Sequence, residues 1–223
     1  MALMSDAVMV LFCDVAGDPE DHDDWHSTEH MHERLSIPGF LRGTRWIRPA
    51  GSPRYMIVYE VASVEMANAP EYLARLNDPT PWTAATMKRL QGMSRGFCKV
   101  TASAGYGLGR AARVVRVEDA SHDTRARLAN EVERLASLRG IASAHLLEAQ
   151  AAPPMTKEQS IRGRDAGIST LLLVTGYDAH ALERACPASA PIDAATYELG
   201  FTATAAEVSR TAVVRPGRPR PAP

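Results

Sequence analysis

Short apolar runs alternate with amphipathic stretches along the chain, and their spacing predicts a β-α-β-β-α-β order. Ala7 to Val15 is apolar and rich in β-branched residues, bounded by Asp6 and by Gly17-Asp18-Pro19, which suits a central strand. An amphipathic segment, Asp23 to Phe40, follows. Asp23 or Asp24 can cap its start, and Pro38-Gly39 stops it. Phe40 to Ile47 and Arg54 to Val61 read as a hairpin around the turn Pro49–Pro53. Ser63 can cap a turn at Val64–Ala67, and Pro70 opens a helix through Leu76, which Asn77-Asp78-Pro79 breaks. Thr80 as N-cap with Pro81 behind it starts another helix, expected to run to Gly92, and Phe97 to Ser103 closes the set as a strand.

The pattern then recurs more loosely. Arg113 to Val117 is a strand, His122 to Leu138 a helix with Leu128, Val132, Leu135 and Leu138 on its apolar side, and Ile141 to Glu148 a strand. The polar stretch Ala151–Gly167 reads as a loop. Ile168 to Gly176 is a strongly apolar strand, Ala179 to Ala185 a short helix, and Thr196 to Thr204 the last strand. The glycines of Gly105–Gly109 mark the boundary. The expected fold class is therefore α+β: two ferredoxin-like halves, residues 1–104 and 108–208, fused in one chain. Two such units can set their sheets face to face and close a barrel with helices outside, an internal pseudo-dimer. Residues 209–223 form the tail. From Pro216 it alternates Arg, Pro and Gly, the composition of a disordered segment.

Composition narrows the function classes. The formal net charge of -1 with 23% charged residues gives no bulk attraction for nucleic acid or for an anionic membrane. Cys13, Cys98 and Cys186 are far apart, and two lie in apolar runs, so they read as buried thiols of a reducing, cytoplasmic compartment. The N-terminal run lacks a basic region and closes on Asp14, which suits a first strand rather than a signal peptide. No apolar run approaches the length of a membrane span.

Candidate chemistry concentrates in Asp23–Phe40, which holds three of the seven histidines. At 100° per residue, Trp25, Thr28, Met31, His32 and Leu35 share one side, and His26, Glu29, His30 and Glu33 another. Taken alone, the wheel leaves His26 and His30 solvated. Their i, i+4 spacing also suits two metal ligands, but the Glu stands beside the second His, the zincin pattern is absent and no third ligand can be named, so no metal is expected. Tyr55 and Tyr59 share one strand face with Ile57. Their hydroxyls are substrate donors if that face lines a cavity and packing groups otherwise. Arg45 is an anion clamp or a surface residue. Gly105-Tyr-Gly-Leu-Gly precedes a strand and is no dinucleotide fingerprint, and no phosphate-binding loop occurs, so no cofactor is expected.

Trp25-His26-Ser27-Thr28-Glu29-His30-Met31, Pro38-Gly39-Phe40, Tyr55 to Glu60 and Asn77-Asp78-Pro79-Thr80-Pro81-Trp82-Thr83 together resemble the EthD-like branch of the dimeric α/β-barrel superfamily. The likeness covers the first hundred residues. His32 stands where that branch often has proline. The resemblance implies a small-molecule ligand and places His30 at the mouth of a barrel cavity, where imidazole can move a proton. It makes Trp25, His26, Arg45, Tyr55 and Tyr59 candidate ligand contacts. The expected function is a cofactor-free lyase or isomerase acting on a cyclic or aromatic metabolite, with His30 as general acid/base. The alternatives are a non-catalytic binding protein with the same cavity and a haem protein with His30 as axial ligand. The expected assembly is the internal pseudo-dimer, alone or as a homodimer.

Overall fold

A computed structural model describes residues 2–118, 120–150, 155–186 and 193–210. The elements in chain order are β1 (Ala7–Val15), α1 (Pro19–Trp25), α2 (Met31–Leu35), β2 (Phe40–Ile47), β3 (Tyr55–Val61), α3 (Pro70–Asn77), α4 (Pro81–Met87) and β4 (Leu90–Gly105). There follow β5 (Ala111–Val117), α5 (His122–Ala136), β6 (Ile141–Ala149), α6 (Lys157–Arg162), β7 (Thr170–Gly176), α7 (Ala179–Ala185), β8 (Asp193–Thr204) and α8 (Ala205–Arg210). The eight strands close into one barrel in the order β1-β3-β2-β8-β5-β7-β6-β4, every pairing antiparallel. The architecture is α+β, as the apolar pattern predicted.

Strand alternation decides which side chains meet. In β1, Val8, Val10 and Phe12 point inward; in β3, Met56 and Val58 do so. They join Trp46, Cys98, Ala112, Val114, Leu147, Leu171, Leu173, Ala195 and Tyr197 in one core to which all eight strands contribute. The barrel interior is thus packed with side chains. The alternate residues, among them Met9, Leu11, Cys13, Ile57 and Tyr59, face outward beneath the helices. The candidate cavity lies there, outside the barrel wall, which corrects the expectation of a site inside the barrel. The N-terminal residues close one end: Leu3 enters the core, the Met4 amide donates to Glu60 at 2.6 Å, and Arg42 bonds both Glu60 and the Ala2 carbonyl.

Three boundaries differ from expectation. The first helix begins at Pro19, capped by Asp18, whose carboxylate accepts from the Glu20 amide at 2.9 Å. The helix expected to reach Gly92 stops at Met87, because Leu90 and Gln91 pair with Val15 and Asp14 of β1, and sheet pairing outweighs weak helical propensity. The stretch read as a loop contains α6, where Thr156 and Gln159 form a capping box. Ser209 and Arg210, the start of the expected tail, end α8; the remainder of the tail lies outside the described residues.

Candidate functional site

The site is built on the segment between β1 and β2. Between α1 and α2, His26–His30 form a π turn, in which the Met31 amide bonds the His26 carbonyl five residues back. Ser27 and Thr28 hydroxyls donate to the Asp23 and Asp24 carbonyls at 2.7 Å each, and Arg45 adds a 3.0 Å bond to the Asp23 carbonyl. These side chains satisfy carbonyls that a widened turn would otherwise leave short of donors. Local widening keeps i, i+4 residues in register. His22, His26 and His30 therefore form one row, with successive ring centroids 5.8 Å apart. The regular wheel left His26 and His30 solvated; both are buried, at 1% and 8% exposure.

Trp25 lies against His30, its ring centroid 4.4 Å away. Its orientation is fixed by a chain of bonds. Trp25 Nε1 donates to Thr83 at 3.1 Å, and Thr83 and Thr80 both donate to the Glu29 carboxylate, at 3.3 and 2.5 Å. Glu29 thereby serves the indole rather than a histidine. The Tyr59 hydroxyl lies 3.3 Å from His26 Nε2. Gly43 makes room for this layer, since a Cβ there would stand 2.9 Å from the Tyr59 ring.

Opposite the histidine row stand Arg34 from α2, Tyr72 and Leu76 from α3 and Arg95 from β4, and α6 lies over them as a roof. Arg34 Nη2 bonds both oxygens of Glu158 at 2.7 Å. Arg95 pairs with Asp165 at 3.1 Å and donates to the Tyr72 hydroxyl at 3.0 Å. Arg162 chelates Asp165 at 2.9 and 2.8 Å. Backbone bonds hold the strap of residues 156–166 down, with Arg95 N to Ala166 O and Ala166 N to Met93 O each 2.9 Å. The cavity leaves about 30 Å³ for the centres of water-sized molecules, room for one or two waters as folded.

Burial lowers the pKa of His30 well below its ordinary value, assisted by the Arg34 charge and opposed by Glu158. Burial, with Arg45 beside it, does the same to His26, and burial depresses His22. The row is neutral near pH 7, and each ring keeps one unprotonated nitrogen. Burial pushes the Tyr59 phenol well up and the Cys13 thiol to about 12, so both stay protonated. His30 Nδ1 makes no hydrogen bond and sits 3.7 Å from Glu33.

Of the residues singled out in the sequence, Trp25, His26, His30 and Tyr59 line the cavity. Tyr55 lies beside it, its ring tilted against His22 with centroids 4.2 Å apart. Arg45 is buried, neither on the surface nor on the cavity wall, and clamps the helix backbone and Ser27. Sequence reasoning missed Arg34, Tyr72, Arg95, Glu158 and Arg162. The capping box Thr156–Gln159 was the available signal for α6; the strap's docking had none. A haem on His30 does not fit, because the ring packs against Trp25 in a cavity with room for one or two waters. Among the described residues, no group of three or more His, Cys, Asp or Glu is placed to hold a metal ion. No helix among them is long and apolar enough to cross a membrane.

The overall fold is one that known structures share. An anthrone oxidase-like protein superposes with a TM-score of 0.59 at 13% identity, over 92% of this chain and 96% of that one. A candidate monooxygenase from Lactobacillus acidophilus NCFM gives 0.56 at 11% identity, over 89% and 96%. Another from Fusobacterium nucleatum subsp. nucleatum ATCC 25586 gives 0.55 at 11%, over 91% and 96%. At these identities the likeness is one of fold alone. No family model matches the chain, and no curated protein matches it.

Proposed function

We propose that this chain is a small-molecule enzyme in which His30 removes a proton from a cyclic or aromatic substrate held against Trp25. The observation that carries the reading is the neutral, buried imidazole of His30 on the cavity wall, with an unbonded Nδ1 and an indole 4.4 Å away. A base must be unprotonated at working pH and shielded from competing water, and burial supplies both conditions. Tyr59, kept protonated beside His26, is placed to donate to an oxygen that gains charge as the proton leaves. Admission of a ring requires the strap 156–166 to lift, since the folded cavity holds only waters.

Such proton removal is the first step of an isomerase or a cofactor-free lyase of EthD-like kind. It is also the first step of oxygenation of the resulting carbanion by dioxygen, and two of the neighbouring structures carry the name monooxygenase. The recurring strand order supports reading 1–104 and 108–208 as fused halves, since β4-β1-β3-β2 and β8-β5-β7-β6 have the same arrangement.

The test is deuterium exchange. A panel of enolisable ring ketones and lactones is incubated with the protein in deuterated buffer, and proton NMR follows loss of the acidic C–H while an electrode follows dioxygen. The wild type is expected to accelerate exchange, and His30→Gln to lower that rate about a hundredfold or more. Equal rates for the two proteins would leave the cavity a binding site without catalysis. Dioxygen uptake in step with exchange would select oxygenation.

A further inference from the structure

Within the ion-paired network opposite His30, arginines outnumber carboxylates. Arg34, Arg95 and Arg162 carry three positive charges, and their partners Glu158 and Asp165 carry two negative ones. All five side chains are at most 5% exposed. The histidines of the row, neutral or protonated, cannot offset a positive excess. An uncompensated buried charge is costly, and a protein retains one where a counter-charge arrives with a ligand.

The donors are also unbalanced. Arg34 uses Nη2 for both oxygens of Glu158, and its Nη1 is buried with no hydrogen-bond partner. Arg95 spends Nε on Asp165 and Nη1 on Tyr72, and its Nη2 is likewise buried and unpartnered. Both residues line the same cavity as His30. Two guanidinium groups, each held by a carboxylate and each with a free Nη, offer N–H donors to one acceptor-rich group. A carboxylate matches that offer in charge and in number of lone pairs.

We propose that the cavity binds a monoanionic head group, a carboxylate, between Arg34 and Arg95, so that the molecule processed at His30 is a small carboxylic acid. The proposal rests on the reading of this cavity as a substrate site and specifies the substrate class. The room present as folded suits such a head group, while the remainder of the molecule displaces the strap. Glu158 and Asp165 hold the two arginines in place and report on the ligand only through them.

Isosteric probes test it. Calorimetric titration at low salt compares acetate with acetamide and benzoate with benzamide, which differ in charge and hardly in shape. The wild type is expected to bind an anion at least about tenfold more tightly than its amide, or ~1.4 kcal/mol. Arg95→Gln, and separately the double variant Arg34→Gln with Glu158→Gln, which leaves no lone buried carboxylate, should each bring the two affinities together. Discrimination in the acetate pair alone supports the site and limits the size of what it admits. Equal affinities in both pairs, or no binding of any of the four by the wild type, overturn the proposal without need of a variant. His30→Gln separates this proposal from the one beneath it. It should keep the preference for the anion, so absence of that preference in the wild type refutes the carboxylate site, whereas unchanged deuterium exchange in His30→Gln refutes the base.

Discussion

Two faces of the barrel wall hold corresponding places in the strand order and are built in opposite ways. The helix after β5 is α5, continuous over fifteen residues, capped by Ser121 and burying only Val132 and Leu135. The cluster beneath it is apolar, drawing on Val115, Leu146, Leu172 and Val174. The segment after β1 is broken by the π turn. It buries six polar side chains, His22, His26, Glu29, His30, Glu33 and Arg34, on the same side of the wall. A face needed only for stability takes the cheap solution, aliphatic packing. One that buries histidines, arginines and carboxylates gives up part of that packing, and each polar group then needs a partner. The π turn is the local device that aligns the histidine row, and it occurs on the polar face alone of the two.

The sharpest way to break this comparison is to separate the two faces. Expressed alone, residues 1–104 should yield no folded monomer. Val8, Val10, Phe12, Met56 and Val58 lose their cover from Ala112, Val114, Leu171 and Leu173, and the cavity loses its roof. Sedimentation of that fragment as a stable monomer would refute the shared core.

Acid should act next most strongly, and chiefly on the polar face. His22, His26 and His30 have folded pKa values below that of the unfolded imidazole, and His145, inside the barrel, is lowered to about 4 by burial. The unfolded chain therefore binds more protons, so stability is full above about pH 6.5 and falls as pH drops toward the folded values. His145 alone costs about 2 kcal/mol at pH 5. Chemical denaturation at pH 7 and pH 5 measures the loss, and a flat profile would contradict the neutral row.

On the apolar face, Leu135→Ala should cost about 3 kcal/mol through the cavity it leaves, with anion binding unchanged. His26→Gln should cost about 1–2 kcal/mol, because a buried ring beside Tyr59 and between two imidazoles is replaced by a group that must find new partners. The corresponding histidine at the start of α5, His122, is exposed, and His122→Gln should stay within about 0.5 kcal/mol in the same melt. A silent His26→Gln would return that residue to the surface where the wheel placed it.

Much of the fold follows from local signals that the sequence carries outright. Apolar runs of strand length at Val8–Phe12 and Leu171–Val174, the Thr80-Pro81 start, and the Pro38-Gly39 stop, where Gly39 takes φ 92, depend only on neighbouring residues. From them came the α+β class, the strand set and the importance of Trp25–His30. The exposure of the histidines did not follow, because a regular 3.6-residue period does not anticipate a π turn that Ser27, Thr28 and Arg45 support. Nor did the site's other wall. Arg34 meets Glu158 across 124 residues of chain, and nothing local in either names the other. Sequence determined which elements form and where chemistry is dense. The closed barrel decided that this chemistry sits outside the wall, roofed by a strap from the far end of the chain, because long-range pairing depends on where whole elements pack.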